Sequence, residues 1–156
     1  MKKAIQLSIF NVAEIKLIYN SKVPASQRRK ISSSRDANDI FKENWNSDTL
    51  EHCEEFKILL LTRSNAVLGL VEVSKGGISG TVTDVRIILQ AALNSNSSGI
   101  IVCHNHPSGN LNPSESDTKI TQKIAEAGKI MDIQLLDHLI ISAEDSYFSF
   151  ADQGLI

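Results

Sequence analysis

Short apolar runs alternate with amphipathic segments along the chain, and this alternation predicts a sheet flanked by helices. Polar or glycine-containing turns separate the runs, as at Arg63-Ser-Asn and at Gly76-Gly77. The segments predicted as strands are 14–23, 56–61, 66–73, 99–103, 135–142 and a last short one at 147–150. Since strands and helices alternate, we expect an α/β or α+β fold with one mixed sheet.

Three segments place apolar residues on one face of a helix. They are 37–45, 85–92 and about 113–127. The first could be capped by Ser34 or Asp36, and the second by Thr83 or Asp84, because short polar side chains accept hydrogen bonds from the first free N–H groups.

The third helix carries its own start and stop signals. Pro113 suits the first helical position, and Asn112 with Glu115 forms a predicted capping box around it. Gly128 is placed to end the helix.

Composition limits the classes of protein that need consideration. The chain has 156 residues, 42% hydrophobic and 22% charged, with a net charge of −2, as expected for a folded domain without global attraction to nucleic acid or membranes. We divide it into an N-terminal strand and basic loop, 1–33, which is part of or appended to the main domain, 34–156. No run approaches the ~20 apolar residues of a membrane span, and the two cysteines form no disulfide framework. The start turns polar too early for a signal peptide, so we expect a cytoplasmic protein.

The stretch IIVCHNHPSGNLNPSESD, residues 100–117, carries the candidate chemistry. Residues two apart in a strand point to the same side, so His104 and His106 should project together while Asn105 faces away. Ser114 and Asp117, three apart, should share the first turn of the following helix. Two imidazoles and one carboxylate, with a fourth position for water, form the usual catalytic zinc site.

Less specific interpretations exist for each part of this stretch. A pair of histidines two residues apart occurs by chance, and Pro-Ser-x-x-Asp could be only a helix cap. Capping, however, does not explain both histidines. The full spacing, H-x-H-x7-S-x2-D at a strand-to-helix turn, favours a metal site.

This spacing is similar to the JAMM signature of JAB/MPN metalloproteases. The run from His104 to Gly109, with the later Leu135-Leu-Asp-His138, resembles the RadC branch, and the resemblance covers about residues 34–156. It implies a JAB/MPN-like (cytidine-deaminase-like) fold with one zinc ion held by His104, His106 and Asp117. Ser114 would match the serine that hydrogen-bonds the substrate oxyanion or the metal-bound water.

The resemblance also implies a glutamate on an upstream strand, acting as general base. The Glu-x-Phe pattern of RadC-like chains points to Glu54, and Glu55 would then face the opposite side of the strand. Glu72 is a further candidate, and each of these could instead be an ordinary solvated glutamate. The predicted function is a zinc-dependent metallopeptidase that hydrolyses a peptide or isopeptide bond in a polypeptide substrate through a metal-activated water.

Other classes of protein remain in view. A non-catalytic metal-binding scaffold and a DNA-associated RadC-like protein are the main alternatives. Longer family members carry an upstream helix-hairpin-helix region associated with DNA binding, which we do not expect here. The basic run Arg28, Arg29, Lys30 and Arg35 could contact phosphates, although a short basic loop is usually only solvated. A nucleobase deaminase would need H-x-E together with P-C-x-x-C, and no P-C-x-x-C occurs here. HNH nucleases spread their His, Asn and His residues over a ββα unit, whereas His104, Asn105 and His106 are adjacent.

Asp137 and His138 could orient the site, because ligating imidazoles need hydrogen-bond partners, or could be satisfied polar residues of the core. Cys103 is expected to be a small core residue, and Cys53 offers no second zinc motif.

Overall fold

A computed structural model describes residues 22–76 and 83–156. Within them lies a five-stranded sheet with the strand order β2-β1-β3-β4-β5. The strands are β1 Glu55–Leu61, β2 Val67–Lys75, β3 Gly99–Asn105, β4 Gln134–Ile141 and β5 Tyr147–Ser149. The helices are α1 Ser34–Glu43, α2 Val85–Asn94 and α3 Glu115–Ile130, with a short 3₁₀ helix at Ala25–Gln27. The predicted mixed sheet with flanking helices is therefore confirmed.

The sheet pairing places β3 at its centre. Strand β1 is antiparallel to both β2 and β3, while β3 and β4 are parallel and β5 closes antiparallel on β4. Parallel neighbours need a crossover connection, which here is α3. The carboxyl end of β3 therefore leads directly to the amino end of α3, the usual location of a site in such a sheet.

Helices cover both faces of the sheet. On one face α1 packs Phe41 against Leu59 and Ile101, and on the other α2 and α3 pack against Ile58 and Val102. Strands β1 and β3 are buried along their whole length, which is why their sequences are continuous apolar runs rather than alternating ones.

The caps of α1 and α3 differ from the predicted ones, whereas the cap of α2 does not. Ser33 caps α1, one residue before the predicted Ser34, and Asp36 completes a capping box from the third helical position. Asp84 caps α2, as predicted. The predicted cap of α3 is wrong, because Ser114 caps that helix and pairs with Asp117 in a capping box.

Gly128 does not end α3, which continues to Ile130. A Cβ atom at Gly128 would lie 2.3 Å from the carbonyl oxygen of Ile133, so the glycine permits a close approach of the returning chain. The reversal falls at Asp132, which has a left-handed backbone with φ of 55°. The absence of a side chain at Gly128 therefore serves close packing against Ile133, and the turn is made at Asp132.

Residues just before α1 pack onto the sheet. Lys30 forms a β-bridge with Ala66, and the buried Ile31 donates its N–H to the carbonyl of Asn65 at 2.9 Å. The strand predicted in 14–23 lies outside the described residues, as does most of the reversal predicted after Gly76. The division at residue 34 stays a prediction. In the described ranges, none of the helices has the length and apolar character to cross a bilayer.

Candidate metal centre

Two histidines and an aspartate converge where β3 ends and α3 begins. The Nε2 atoms of His104 and His106 lie 2.9 Å apart. Asp117 Oδ1 is 3.2 Å from Nε2 of His104, and Oδ2 is 3.6 Å from Nε2 of His106. His104 is fully buried, while His106 and Asp117 stay partly accessible from the surface. The structure thus brings the three predicted ligands together, although their role stays a prediction.

The donor spacing fits a small divalent cation. In a tetrahedral zinc site with bonds of about 2.0–2.1 Å, neighbouring donor atoms lie roughly 3.3 Å apart. Nε2 of His104 lies 2.9 Å from Nε2 of His106 and 3.2 Å from Asp117 Oδ1, close to that value, and one ligand atom from each of the three residues lies within 4.8 Å of the others. Two imidazole nitrogens and one carboxylate also form the donor set that catalytic zinc uses, with a further position open to solvent.

A capping box fixes the carboxylate. The backbone N–H and the hydroxyl of Ser114 both donate to Asp117 Oδ2 at 2.7 Å, and the Asp117 N–H donates back to the Ser114 hydroxyl at 3.1 Å. Burial opposes ionisation of Asp117, but hydrogen bonds from His104 and His106 outweigh it and hold its pKa well below the usual range. Asp117 is therefore a carboxylate near neutral pH.

The ring of His106 is held by a backbone carbonyl. Its Nδ1 contacts the carbonyl oxygen of Asn110, which can only accept, so Nδ1 carries a hydrogen and Nε2 faces the pocket. The hydrogen bond to Asp117 raises the pKa of His106, burial lowers it, and the Asn110 carbonyl and the charges of Asp117 and Glu54 raise it further. A cation would have to compete with a proton for this nitrogen.

The ring of His104 is held from the core. Its Nδ1 lies 2.8 Å from Nε2 of His138, and Nδ1 of His138 lies 2.6 Å from the hydroxyl of Thr121. Burial lowers the pKa of His138 well below its ordinary value, and the nearby His104 acts in the same direction. Of the Asp137-His138 pair, only His138 reaches the site, since Asp137 accepts from Ser149 at 2.7 Å on the other side of the strand.

Glu54 lies on the same side of the sheet as the histidines. Phe56 pairs with His104 across β1 and β3, and continuing this antiparallel register by two residues places Glu54 opposite His106. The Glu54 carbonyl accepts the N–H of Gly76 at 2.8 Å, which extends the ladder with β2 to this residue. Glu54 is half-buried, and its charge contributes to the raised pKa of His106.

The two other candidate glutamates lie on the opposite side. Glu55 is 1% exposed and forms ion pairs with Lys57 at 3.1 Å and Lys75 at 2.9 Å. Burial raises the pKa of Glu55, but Thr49, Lys75 and Lys57 lower it more, so that the balance is a lowered pKa. Glu72 also contacts Lys57, at 3.6 Å. Neither carboxylate therefore faces the histidines.

Asn105, between the two histidines, was not singled out as functional from the sequence. It is fully buried, and its Oδ1 accepts the N–H of Glu55 at 2.7 Å. Its amide donates to the carbonyls of Leu50 at 2.7 Å and Cys53 at 2.9 Å. Asn105 thus fixes the loop that leads to Glu54. A polar residue inside a fully buried strand is the signal that could have revealed it.

Thr121 was also missed. It is 1% exposed, and its hydroxyl donates to the carbonyl of Asp117 at 2.5 Å while it contacts His138. Its position four residues after Asp117, on the same face of α3, was the available signal.

Residues of the basic run near the N-terminus interact with the chain itself. Arg29 forms a surface ion pair with Glu43, and Arg35 lies over the ring of Tyr147 at 5.7 Å. Contact with phosphates stays a prediction.

The domain thus combines a mixed sheet between helices with a candidate metal site at the end of its central strand. The family model described as "RadC-like JAB domain" matches residues 31–155. The chain therefore belongs to the RadC-like JAB domain family.

Curated relatives support this assignment. The chain is 49% identical to a "UPF0758 protein" of Flavobacterium johnsoniae over 127 residues, 81% of this chain and 54% of that protein. It is 45% identical to a protein of the same name from Porphyromonas gingivalis, over 66% of this chain and 45% of the relative. A third, from Clostridium beijerinckii, is 39% identical over 81% of this chain and 54% of its own length. The chain spans about half the length of these relatives.

Proposed function

We propose that this chain is a zinc-dependent peptidase that hydrolyses a peptide or isopeptide bond of a polypeptide. The observation that carries the proposal is the convergence of His104, His106 and Asp117. The register between β1 and β3, continued by two residues, puts Glu54 opposite His106. Zinc, when bound there, would lower the pKa of a water molecule to about 7 and polarise a carbonyl group.

The residues around the pocket have separate tasks in this proposal. His104, His106 and Asp117 hold the ion. Glu54 takes the proton of the attacking water and passes it to the leaving amine, as a half-buried carboxylate beside the pocket is suited to do.

In the structure Ser114 holds the carboxylate of Asp117, which is a role separate from any catalytic one. Its only hydroxyl hydrogen points to Asp117 Oδ2, so it holds the carboxylate in place. To donate to a developing oxyanion, as the family resemblance implies, the hydroxyl would have to turn away from Asp117. The backbone N–H of Ser114 would still hold the same oxygen during that step.

The first experiment measures zinc content and cleavage together. Purified parent protein should bind about one zinc ion per chain, and it should cleave members of a proteome-derived peptide library, read as new termini by mass spectrometry. Chelation should abolish cleavage, and added zinc should restore it.

Matched substitutions then test the base. Glu54→Gln should keep zinc and fold but lose cleavage, because an amide cannot accept the proton. Glu72→Gln is the control, since it makes the same chemical change on the same sheet but on the side away from the histidines. Cleavage by Glu54→Gln at the parental rate would refute the proposed base, and zinc binding without any cleavage by the parent would favour a scaffold.

A further inference from the structure

Two polar residues behind the candidate metal centre are linked to it in an unbroken line of contacts. The line runs from the carbonyl of Asp117 to the Thr121 hydroxyl at 2.5 Å and on to Nδ1 of His138 at 2.6 Å. It then passes from Nε2 of His138 to Nδ1 of His104 at 2.8 Å. Thr121, His138 and His104 are each no more than 1% exposed.

The direction of every hydrogen in this line follows from its first member. A backbone carbonyl can only accept, so the hydrogen between Asp117 and Thr121 belongs to the Thr121 hydroxyl. That hydroxyl has no second hydrogen, so the hydrogen in the next contact belongs to Nδ1 of His138. A fully buried imidazole whose ring nitrogens contact no carboxylate among the described residues is neutral, so Nε2 of His138 carries no hydrogen.

The last contact then fixes the ligand. Nε2 of His138 must accept, so the hydrogen lies on Nδ1 of His104. With Nδ1 engaged in this way, Nε2 is the ring nitrogen of His104 that faces His106 and Asp117, and it is the atom that a cation would take in place of any hydrogen it holds.

We propose that Thr121 and His138 are positioning residues that keep a hydrogen on Nδ1 of His104, so that Nε2 is the nitrogen offered to a cation. This inference rests on the proposed function only in that it concerns the same pocket. In this proposal the carbonyl of Asp117 orients His104, and it acts through Thr121 and His138, two side chains that would not themselves contact a cation.

The packing around His138 shows that its ring is firmly held. It stacks on Phe150 with ring centroids 4.8 Å apart, and its centroid lies 5.7 Å from that of Phe56. The ring cannot turn to exchange its two nitrogens without displacing these neighbours. The direction of the hydrogen bonds in this line can therefore change only if the hydrogen of His138 moves from Nδ1 to Nε2.

Thr121→Val removes the hydroxyl and keeps the shape of the side chain. Nδ1 of His138 then loses its acceptor, so the tautomer with hydrogen on Nε2 becomes competitive and donates to Nδ1 of His104. Nδ1 of His104 then accepts, so a neutral His104 would carry its hydrogen on Nε2, the atom that a cation needs. Thr121→Ser keeps a hydroxyl at this position and serves as the matched control.

The test combines tautomer spectroscopy with zinc affinity. Two-bond ¹H–¹⁵N correlation spectra of metal-free protein identify the protonated nitrogen of each of the four histidines, and competition with a chromogenic chelator measures zinc binding. We expect hydrogen on Nδ1 of both His104 and His138 in the parent. Loss of such an outer partner typically weakens metal affinity about 10–100-fold, which is the range expected for Thr121→Val, with recovery in Thr121→Ser.

The contrary results are equally clear. Hydrogen on Nε2 of His138 in the parent spectrum would overturn the proposal, and this spectrum decides even if Thr121→Val fails to fold. Zinc binding by folded Thr121→Val at parental affinity would also overturn it. A parent that binds zinc but cleaves no peptide refutes only the peptidase, whereas a parent that binds no zinc refutes both.

Discussion

Asn105→Ala is expected to destabilise the protein strongly, although Asn105 faces away from the candidate metal centre. The substitution removes one acceptor and two donated hydrogens, and it leaves Glu55 N–H and the carbonyls of Leu50 and Cys53 without this partner. Each buried group left unpaired costs about 1–3 kcal/mol. Because water can reach the two partly buried carbonyls, we take the lower end, which gives a loss of about 3 kcal/mol in the free energy of unfolding.

Asn38→Ala provides a matched control within the same chain. Asn38 is also buried, at 1% exposure, but its Oδ1 has no hydrogen-bond partner among the described residues, and its amide makes only a 3.3 Å contact with Asp39. It lies inside α1, where alanine is the better helix former. The two substitutions therefore remove the same atoms from equally buried positions and differ in the hydrogen bonds lost.

Urea unfolding of the metal-free proteins is the assay, with the free energy obtained by linear extrapolation and the slopes compared. We expect Asn38→Ala to remain near the parental value. A loss below about 1 kcal/mol in Asn105→Ala, or equal losses in both variants, would refute the reasoning that Asn105 fixes the loop before Glu54.

Three further predictions concern the rest of the domain. Gly128→Ala should lower the free energy of unfolding in urea by about 1–3 kcal/mol, despite a helix propensity gain of about 1 kcal/mol, because the new Cβ would clash with a backbone carbonyl. Gly69→Ala is the control, since there is open space around its Cβ. A stabilised Gly128→Ala would contradict the clash. Hydrogen bonds from Arg86 lower the pKa of Asp84 from 3.8 to about 2. The contribution of Asp84 to stability is therefore present above pH 3.8 and lost as the pH falls toward 2. A parental acid-unfolding curve no steeper than that of Asp84→Asn would contradict this pH dependence. Burial raises the pKa of the Cys103 thiol well above its ordinary value, so in native protein a thiol reagent should modify only half-buried Cys53, and fast modification of both would show that Cys103 is accessible.

The sequence was sufficient for the five predicted strands that fall within the described residues and for the pairing of the two histidines, because both follow from local periodicity. The start of α3 was not predictable in the same way. Asn112 with Glu115 and Ser114 with Asp117 are both valid capping boxes, two residues apart. Only the second lets the aspartate cap the helix while its other oxygen reaches His104, and that choice depends on tertiary structure.

The contacts behind the centre depend on register between strands distant in sequence. His138 reaches His104 because β4 pairs in parallel with β3, with His138 beside Val102 on the same face. A one-residue shift would turn Asp137 toward His104 instead. Gly128 was misinterpreted for a related reason, since the carbonyl that requires its missing side chain comes from a later segment of the chain.

The capping box at Ser114 and Asp117 has a consequence for how the centre comes into existence. Hydrogen bonds from the protein hold the carboxylate and both rings, so we expect the fold to survive chelation, unlike small zinc domains that unfold without metal. Under the proposed function, zinc added to folded, metal-free protein should therefore restore activity without a refolding step.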